Sequence, residues 1–277
     1  MKKKLTIPGM KAKKEAKEKF VMITAYDYPS AVLVDKTEIE LILVGDSLGM
    51  TMLGYDSTVP VTMEEMIHHT KPVVKGAPGC FVVADMPFGS YNAGIEDAVR
   101  NATRLMKEGG ADAVKLEGGR EVVKVVKALV DGGIPVMAHI GLTPQTVSQM
   151  GGFKVQGKDE ESAKKLLADA LALEEAGAFS VVLECVPAPL AKLITEKLSI
   201  PTVGIGAGPD CDAQVLVFHD VLGLFERFVP KFVKRYADIG QTVREALAAY
   251  NHEVKTGVFP APEHTFGMAE EEIKRLY

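Results

Sequence analysis

Eight short aliphatic runs, separated by helical patterns and glycine-rich turns, constrain this chain more than any other feature. They read FVMITAYD (20–27), LILVGDS (41–47), FVVADM (81–86), AVKLEG (113–118), PVMAHIG (135–141), SVVLECV (180–186), PTVGIGAG (201–208) and VLVFHDVLG (215–223). A run such as Leu41, Ile42, Leu43 and Val44 shows no polar alternation, the pattern of a strand covered on both faces in a parallel sheet. The intervening stretches carry helix signals. TMEEMIHHTKPVVKG opens on Thr62 with Glu65 three residues later, a capping box. IEDAVRNATRLMKEGG (95–110), REVVKVVKALVDGG (120–133) and DEESAKKLLADALALEEAGA (159–178) carry apolar residues at helical spacing and stop at glycine.

Alternation of this kind fits either a closed (β/α)8 TIM barrel or an open doubly wound sheet. The count of eight strands and the single-domain length favour the α/β barrel, since such barrels run to about 250 residues. No Pro/Gly/Ser-rich linker divides the sequence, so residues 1–277 are expected to form one domain. Residues 1–19, rich in lysine, read as a solvated N-terminal arm. Residues 224–277 read as C-terminal helices and a tail that packs on the barrel or on a neighbouring subunit.

Composition bounds the partners. With 47% hydrophobic and 25% charged residues the chain has ample material for a core. A net charge of −5 and a pI near 5.8 argue against nucleic acid or an anionic membrane as the main partner. Cys80, Cys185 and Cys211 lie far apart with no CxxC spacing, which suggests neither a disulfide framework nor structural zinc, and a reducing cytoplasm is the expected location. Neither a signal peptide nor a stretch of transmembrane length without charges is read in the sequence.

In a parallel barrel the chemistry sits at the C-terminal ends of the strands. The ends of these runs offer Asp27, Asp46 with Ser47, Asp85, Lys115 with Glu117, His139, Glu184, the Gly204–Gly208 loop, and His219 with Asp220. Asp46 can be read as the cap of a following helix, and Asp85 as the opening of a turn. Two carboxylates from adjacent strands, however, repel unless a cation lies between them, and Mg2+ takes one or two carboxylates while leaving positions for water and substrate. Glu117 could join through a water. Glu184, flanked by Val181, Val182, Leu183 and Val186, is the candidate general base, because apolar neighbours disfavour its charged form; a structural ion pair with Lys115 is the alternative. Lys115 could bind a substrate carboxylate, form a Schiff base or pair with an acid, and His139 could donate a hydrogen bond to substrate. VGIGAGPDCDAQ (203–214) matches neither the Walker nor the dinucleotide pattern and is expected to bring backbone close to a ligand or anion at a helix start, or to form a plain turn. His68 and His69, adjacent on one helix, make a poor metal pair.

The stretches TAYDYPSA, VGDSLGMTMLGYDST, ADMPFGSY, VKLEGG, AHIGLTPQ, VLECVP, GIGAGPDCDAQVLVFHD and EHTF, in this order, resemble the ketopantoate (3-methyl-2-oxobutanoate) hydroxymethyltransferase family from about residue 20 onward. The resemblance implies a (β/α)8 barrel assembled as a homodecamer. It implies transfer of a hydroxymethyl group from 5,10-methylenetetrahydrofolate to 3-methyl-2-oxobutanoate, giving 2-dehydropantoate for pantothenate and coenzyme A biosynthesis, through a Mg2+-stabilised enolate. It implies Asp46 and Asp85 as Mg2+ ligands with Glu117 through a water, Ser47, Asp85 and Lys115 as substrate-binding residues, Glu184 as the base, and His139 in the same pocket. It identifies no folate-binding residue.

Three positions depart from the family pattern. Ala213 stands where glycine is usual, and Thr37 and Glu38 stand where a small residue and glycine commonly end the first barrel helix. If the second of these sites requires a positive φ, Glu38 is strained there. The alternative activity is that of a Mg2+-dependent keto-acid lyase or mutase of the isocitrate lyase and phosphoenolpyruvate mutase type. The chain lacks the KKCGH-like loop with a reactive cysteine expected of that group.

Overall fold

The computed structural model describes residues 2–149 and 151–277. Its eight strands are β1 (Phe20–Thr24), β2 (Leu41–Val44), β3 (Phe81–Asp85), β4 (Ala113–Glu117), β5 (Val136–Gly141), β6 (Ser180–Glu184), β7 (Thr202–Ile205) and β8 (Ala213–Leu216). All pair in parallel and in chain order, and β8 returns to β1 with Phe20 beside Ala213, so the sheet is a closed barrel. This is the (β/α)8 architecture expected from the strand rhythm. The capping box at Thr62 and Glu65 starts the helix Met63–Gly76 as read from sequence.

Two apolar cores follow from the period of two along each strand. Residues facing outward, among them Ile42, Val44, Val82, Ala84, Val114 and Leu116, pack against helix side chains such as Met66, Val73, Leu105 and Leu129. Residues facing inward fill the barrel with Phe20, Met22, Leu41, Leu43, Phe81, Val83, Ala113, Met137, Val182 and Val215. Continuing that inward face by two residues past Val83, Ala113, Met137 and Val182 reaches Asp85, Lys115, His139 and Glu184; a further step along β4 reaches Glu117. The barrel interior thus changes from apolar to ionisable towards its C-terminal mouth.

The N-terminal residues depart from the solvated arm read from their lysines. Ile7–Glu15 form a helix capped by Thr6, and Met10, 1% exposed, belongs to the interior core. Lys14 Nζ reaches Asp212 Oδ2 at 2.8 Å, and Lys4 Nζ reaches Asp112 Oδ2 at 2.8 Å. Both aspartates immediately precede strands, so this helix closes the N-terminal end of the barrel. Its lysines reach the rim while Met10, with Ile7 and the preceding Leu5, supplies the apolar contact, a division that lysine content alone conceals.

The eighth strand also lies elsewhere than expected. It spans Ala213–Leu216, and the short helix Phe218–Val221 occupies the second half of the run assigned to it. The glycine-rich run leads from β7 into β8 without an intervening helix, so no helix N-terminus stands there to receive an anion. Gly206 and Gly208 turn the chain at φ +64° and +81°, and a Cβ at Gly206 would lie 2.8 Å from the Phe232 ring. The run is therefore a turn packed under the C-terminal segment. Neither Glu38, Thr37 nor Ala213 has a positive φ, and Ala213 is a buried residue of β8, so none of the three departures strains the backbone.

Beyond β8 the helix Ile239–Thr256 buries none of its side chains. Val243, Leu247, Tyr250 and Val254 recur at helical spacing along it as an exposed apolar stripe. Among the described residues no helix is long and apolar enough to cross a membrane.

Candidate active site

The loop after β2 places Asp46 over the barrel mouth. Its backbone N–H donates to Asp85 Oδ2 at 3.0 Å. A Cβ at Gly45 would stand 3.3 Å from that same oxygen and 3.0 Å from Ser47 Oγ, so the glycine permits a close approach that a side chain would crowd. Asp46 does not cap the following helix. That place belongs to Ser47, whose side chain makes no cap bond and instead meets Tyr26 Oη at 2.8 Å.

β4 and β5 supply the centre. Lys115 Nζ lies 3.0 Å from Asp85 Oδ1 and 3.2 Å from His139 Nδ1. On its other side His139 Nε2 approaches Glu184 Oε2 at 3.2 Å. Asp46, Asp85, Lys115, Glu117 and His139 are all buried, whereas the Glu184 side chain is 15% exposed and forms the more open side of the cluster. Cys185, immediately after Glu184, is held at φ +49°, a conformation seldom adopted by residues other than glycine; such strain concentrates at sites where the surrounding fold over-determines the backbone.

Charge in this space is unbalanced, with four carboxylates (Asp46, Asp85, Glu117 and Glu184) facing one ammonium. Burial, reinforced by the neighbouring Asp85, pushes the Asp46 carboxyl up from 3.8 to about 7. Burial likewise raises Glu117 well above the ordinary range despite the opposing charge of Lys115. For Lys115 burial works against the charged form, but Asp85 first, then Glu117 and Asp46, outweigh it and hold the ammonium protonated. A protonated lysine has no lone pair with which to form a Schiff base, which removes one of its sequence-level alternatives. Burial first and Lys115 second lower His139. A neutral His139 accepts from Lys115 through Nδ1 and carries its proton on Nε2, so the 3.5 Å approach of Nδ1 to Glu117 Oε1 is not an ion pair.

Two buried atoms at the mouth, Asp85 Oδ1 and His139 Nε2, lack a hydrogen bond of acceptable geometry despite their short contacts with Lys115 and Glu184. Unsatisfied polar atoms in a buried site mark places where a ligand completes the bonding. They open onto a cavity of about 420 Å3 whose floor holds the polar cluster and whose outer wall includes Phe153, Val155, Phe225, Phe228 and Phe232. Among the described residues no group of three or more His, Cys, Asp or Glu side chains is arranged to hold a metal unaided. The hard oxygen donors of Asp46 and Asp85, with one oxygen unsatisfied, instead fit a cation that completes its shell with water and substrate.

The other strand-end candidates have different employment. Asp27 caps the helix Tyr28–Asp35, accepting from the Ser30 N–H at 2.8 Å. His219 stacks on Tyr26 with ring centroids 5.5 Å apart, and Asp220 lines the cavity away from the Lys115 cluster. His69 Nδ1 meets the Tyr26 carbonyl at 2.6 Å and takes no part in a metal pair with His68. Two functional neighbours escaped the sequence reading: Gln145 and Tyr91, both buried, link Asp46 to Glu117 through hydrogen bonds. The only trace of them was their place in ADMPFGSY and AHIGLTPQ, just past strand ends.

A closed parallel barrel with acids, a lysine and a neutral histidine gathered at the mouth defines a (β/α)8-barrel enzyme of the acid–base kind. The sequence profile described as Ketopantoate hydroxymethyltransferase matches residues 4–262. The chain belongs to that family. It is 66% identical over 277 residues to the 3-methyl-2-oxobutanoate hydroxymethyltransferase of Heliobacterium modesticaldum, covering 100% of both chains. It is 60% identical over 274 residues to that of Carboxydothermus hydrogenoformans, covering 99% of each. Among solved structures it resembles phosphonopyruvate hydrolase, with a TM-score of 0.59 at 13% identity over 99% of this chain and 94% of the other. The same enzyme solved in complex with oxalate and Mg2+ gives 0.56 at 12% identity, over 98% and 94%. At such identities the likeness concerns the fold.

Proposed function

We propose that this protein transfers a hydroxymethyl group from 5,10-methylenetetrahydrofolate to 3-methyl-2-oxobutanoate, with Glu184 as the base. The observation that carries the assignment of roles is the cluster Asp85–Lys115–His139–Glu184, a graded line from buried ion pair to partly open carboxylate. Asp46 and Asp85 would hold Mg2+, with Glu117 joined through a water. When bound, the ion polarises the keto oxygen and offsets negative charge developing on the substrate.

The chain's own groups perform the remaining work. Lys115 and Ser47 bind the oxygens of the keto acid, and His139 donates its Nε2–H to the same end of the substrate. Glu184 takes the proton from C3 and leaves an enolate. The enolate carbon then forms a bond to the methylene carbon, the two methylene–nitrogen bonds break with their electron pairs returning to the folate nitrogens, and one water adds its hydroxyl to that carbon, its remaining proton and the C3 proton held by Glu184 going to the two nitrogens. The phenylalanine-rich outer wall suits the flat rings of the folate, which must lie within bonding reach of the keto acid.

Assembly as a homo-oligomer, ten copies by family resemblance, is supported by the apolar stripe along Ile239–Thr256, and a cytoplasmic location by three free cysteines. The decisive test is proton exchange at C3 of 3-methyl-2-oxobutanoate in D2O, followed by NMR with and without Mg2+. Wild type exchanges in a Mg2+-dependent manner without folate, and Glu184→Gln loses roughly 10²–10⁴-fold of that rate, the usual contribution of a positioned base. Equal rates in wild type and variant remove Glu184 from the role.

A further inference from the structure

We propose that Gln145 is a positioning residue that holds the Asp46 carboxylate through its side chain and the Glu117 carboxylate through its backbone N–H for the cation, and that Tyr91 braces its amide from the other side. Gln145 uses every polar group it possesses. Its Nε2 donates one hydrogen to Asp46 Oδ2 at 2.8 Å and the other to the Met86 carbonyl at 3.0 Å. Its Oε1 accepts from Tyr91 Oη at 2.6 Å, and its backbone N–H donates to Glu117 Oε2 at 3.1 Å. Tyr91 Oη in turn accepts the Glu117 backbone N–H at 3.3 Å. Gln145 and Tyr91 are both 3% exposed.

These contacts admit only one amide orientation. Turned over, the amide would set Oε1 against both a carboxylate and a carbonyl, exchanging attraction for repulsion at two contacts. Asp46 and Met86 therefore fix which end of Gln145 meets them, and Tyr91, whose hydroxyl also faces the Glu117 carbonyl at 3.2 Å, holds Oε1 from the other side. The bridge is also economical in topology: Asp46 follows β2, Met86 follows β3, Glu117 ends β4 and Gln145 follows β5, so one residue, by its side chain and its backbone N–H, ties four sectors of the mouth together. A carboxylate meant for a metal is held in place by such outer partners, whose loss typically costs 10–100-fold in affinity.

The inference rests on the divalent-cation reading above, and the experiment keeps the two apart. Mg2+ affinity is measured by titration calorimetry on wild type, Gln145→Ala, Gln145→Glu and Tyr91→Phe, together with the melting midpoint of each without metal. Gln145→Ala is expected to weaken Mg2+ binding about 10–100-fold. Gln145→Glu keeps the shape, loses a donor to Asp46 and weakens binding at least as much. Tyr91→Phe gives a smaller loss in the same direction. Wild-type affinity in both Gln145→Glu and Tyr91→Phe, whatever their melting midpoints, overturns the proposal and leaves these residues as packing. Absence of Mg2+ binding in wild type overturns the cation reading and the proposal with it. Should Gln145→Ala fail to fold, Tyr91→Phe, which deletes one oxygen, still decides the matter.

Discussion

Asp46 concentrates the chemistry of this protein at the scale of a single residue. Its carboxyl is raised to about 7, by burial first and by Asp85 second. In the unfolded chain the same group releases its proton near 3.8. Between those limits the folded, metal-free protein holds a proton that the unfolded chain does not, so stability is highest below the lower value and is lost as pH rises towards the higher one, by at most about 1.4 kcal/mol per pH unit. Mg2+ held by Asp46, as proposed, would require the ionised form and compete with that proton. The Mg2+-induced rise in melting temperature is therefore expected to grow from about pH 6 to about pH 8. Asp46→Asn should abolish the metal-induced rise and lessen the metal-free decline, the remainder coming from the buried Glu117, as a thermal-shift series across pH would reveal. A metal response independent of pH would place the cation elsewhere.

At the scale of elements, the barrel depends on a helix that its sequence disguises. Ile7–Glu15 exposes Pro8, Lys11, Ala12 and Glu15, keeps Lys13 and Lys14 partly buried, and inserts Met10 into the interior core. Met10→Ala is expected to lower stability by about 2–5 kcal/mol, the range for emptying a buried methionine site, as read from urea denaturation. Lys11→Ala, on the solvent side of the same helix, should change it by less than about 0.5 kcal/mol. A near-neutral Met10→Ala would return this segment to the role of a loose arm. The strands obey a simpler logic. Their inward residues are apolar up to Val83, Ala113, Met137 and Val182, and the next inward positions carry the acids, the lysine and the histidine, so a shift of one residue would bury charges among the helices and turn Ala84, Val114, Ala138 and Leu183 into the site.

For the molecule as a whole, the stripe Val243, Leu247, Tyr250 and Val254 is the largest demand the fold leaves unmet. An 18-residue helix with no buried side chain gains nothing from the barrel beneath it. If further copies cover the stripe, Leu247→Asp with Tyr250→Asp should reduce the assembly to smaller species in analytical ultracentrifugation, while the C3 exchange of the keto acid persists in proportion to folded protein. Unchanged sedimentation would assign the contacts between copies to another face.

Much of this protein is determined by the sequence alone because its governing signals are local. Aliphatic runs of strand length, helix patterns ended by glycine and a polar residue at the end of each run announce a parallel barrel. They also name Asp46, Asp85, Lys115, Glu117, His139 and Glu184 as candidates for its mouth, because these residues end the aliphatic runs, where a parallel barrel opens. Only the tertiary structure decided what depends on closure of the barrel. It put β8 at Ala213–Leu216 and removed the helix expected after the glycine run, since pairing with β1 and β7 outweighed the aliphatic pattern that continues past Leu216. It turned Asp27 into a cap and buried Asp46 against the cavity, although both follow strands. It also brought Gln145 within 2.8 Å of Asp46, ninety-nine positions away in the chain, where no periodicity reaches. Local pattern chooses the elements and their faces, whereas the distances between carboxylates, amide and ammonium exist only once eight strands have met in a ring.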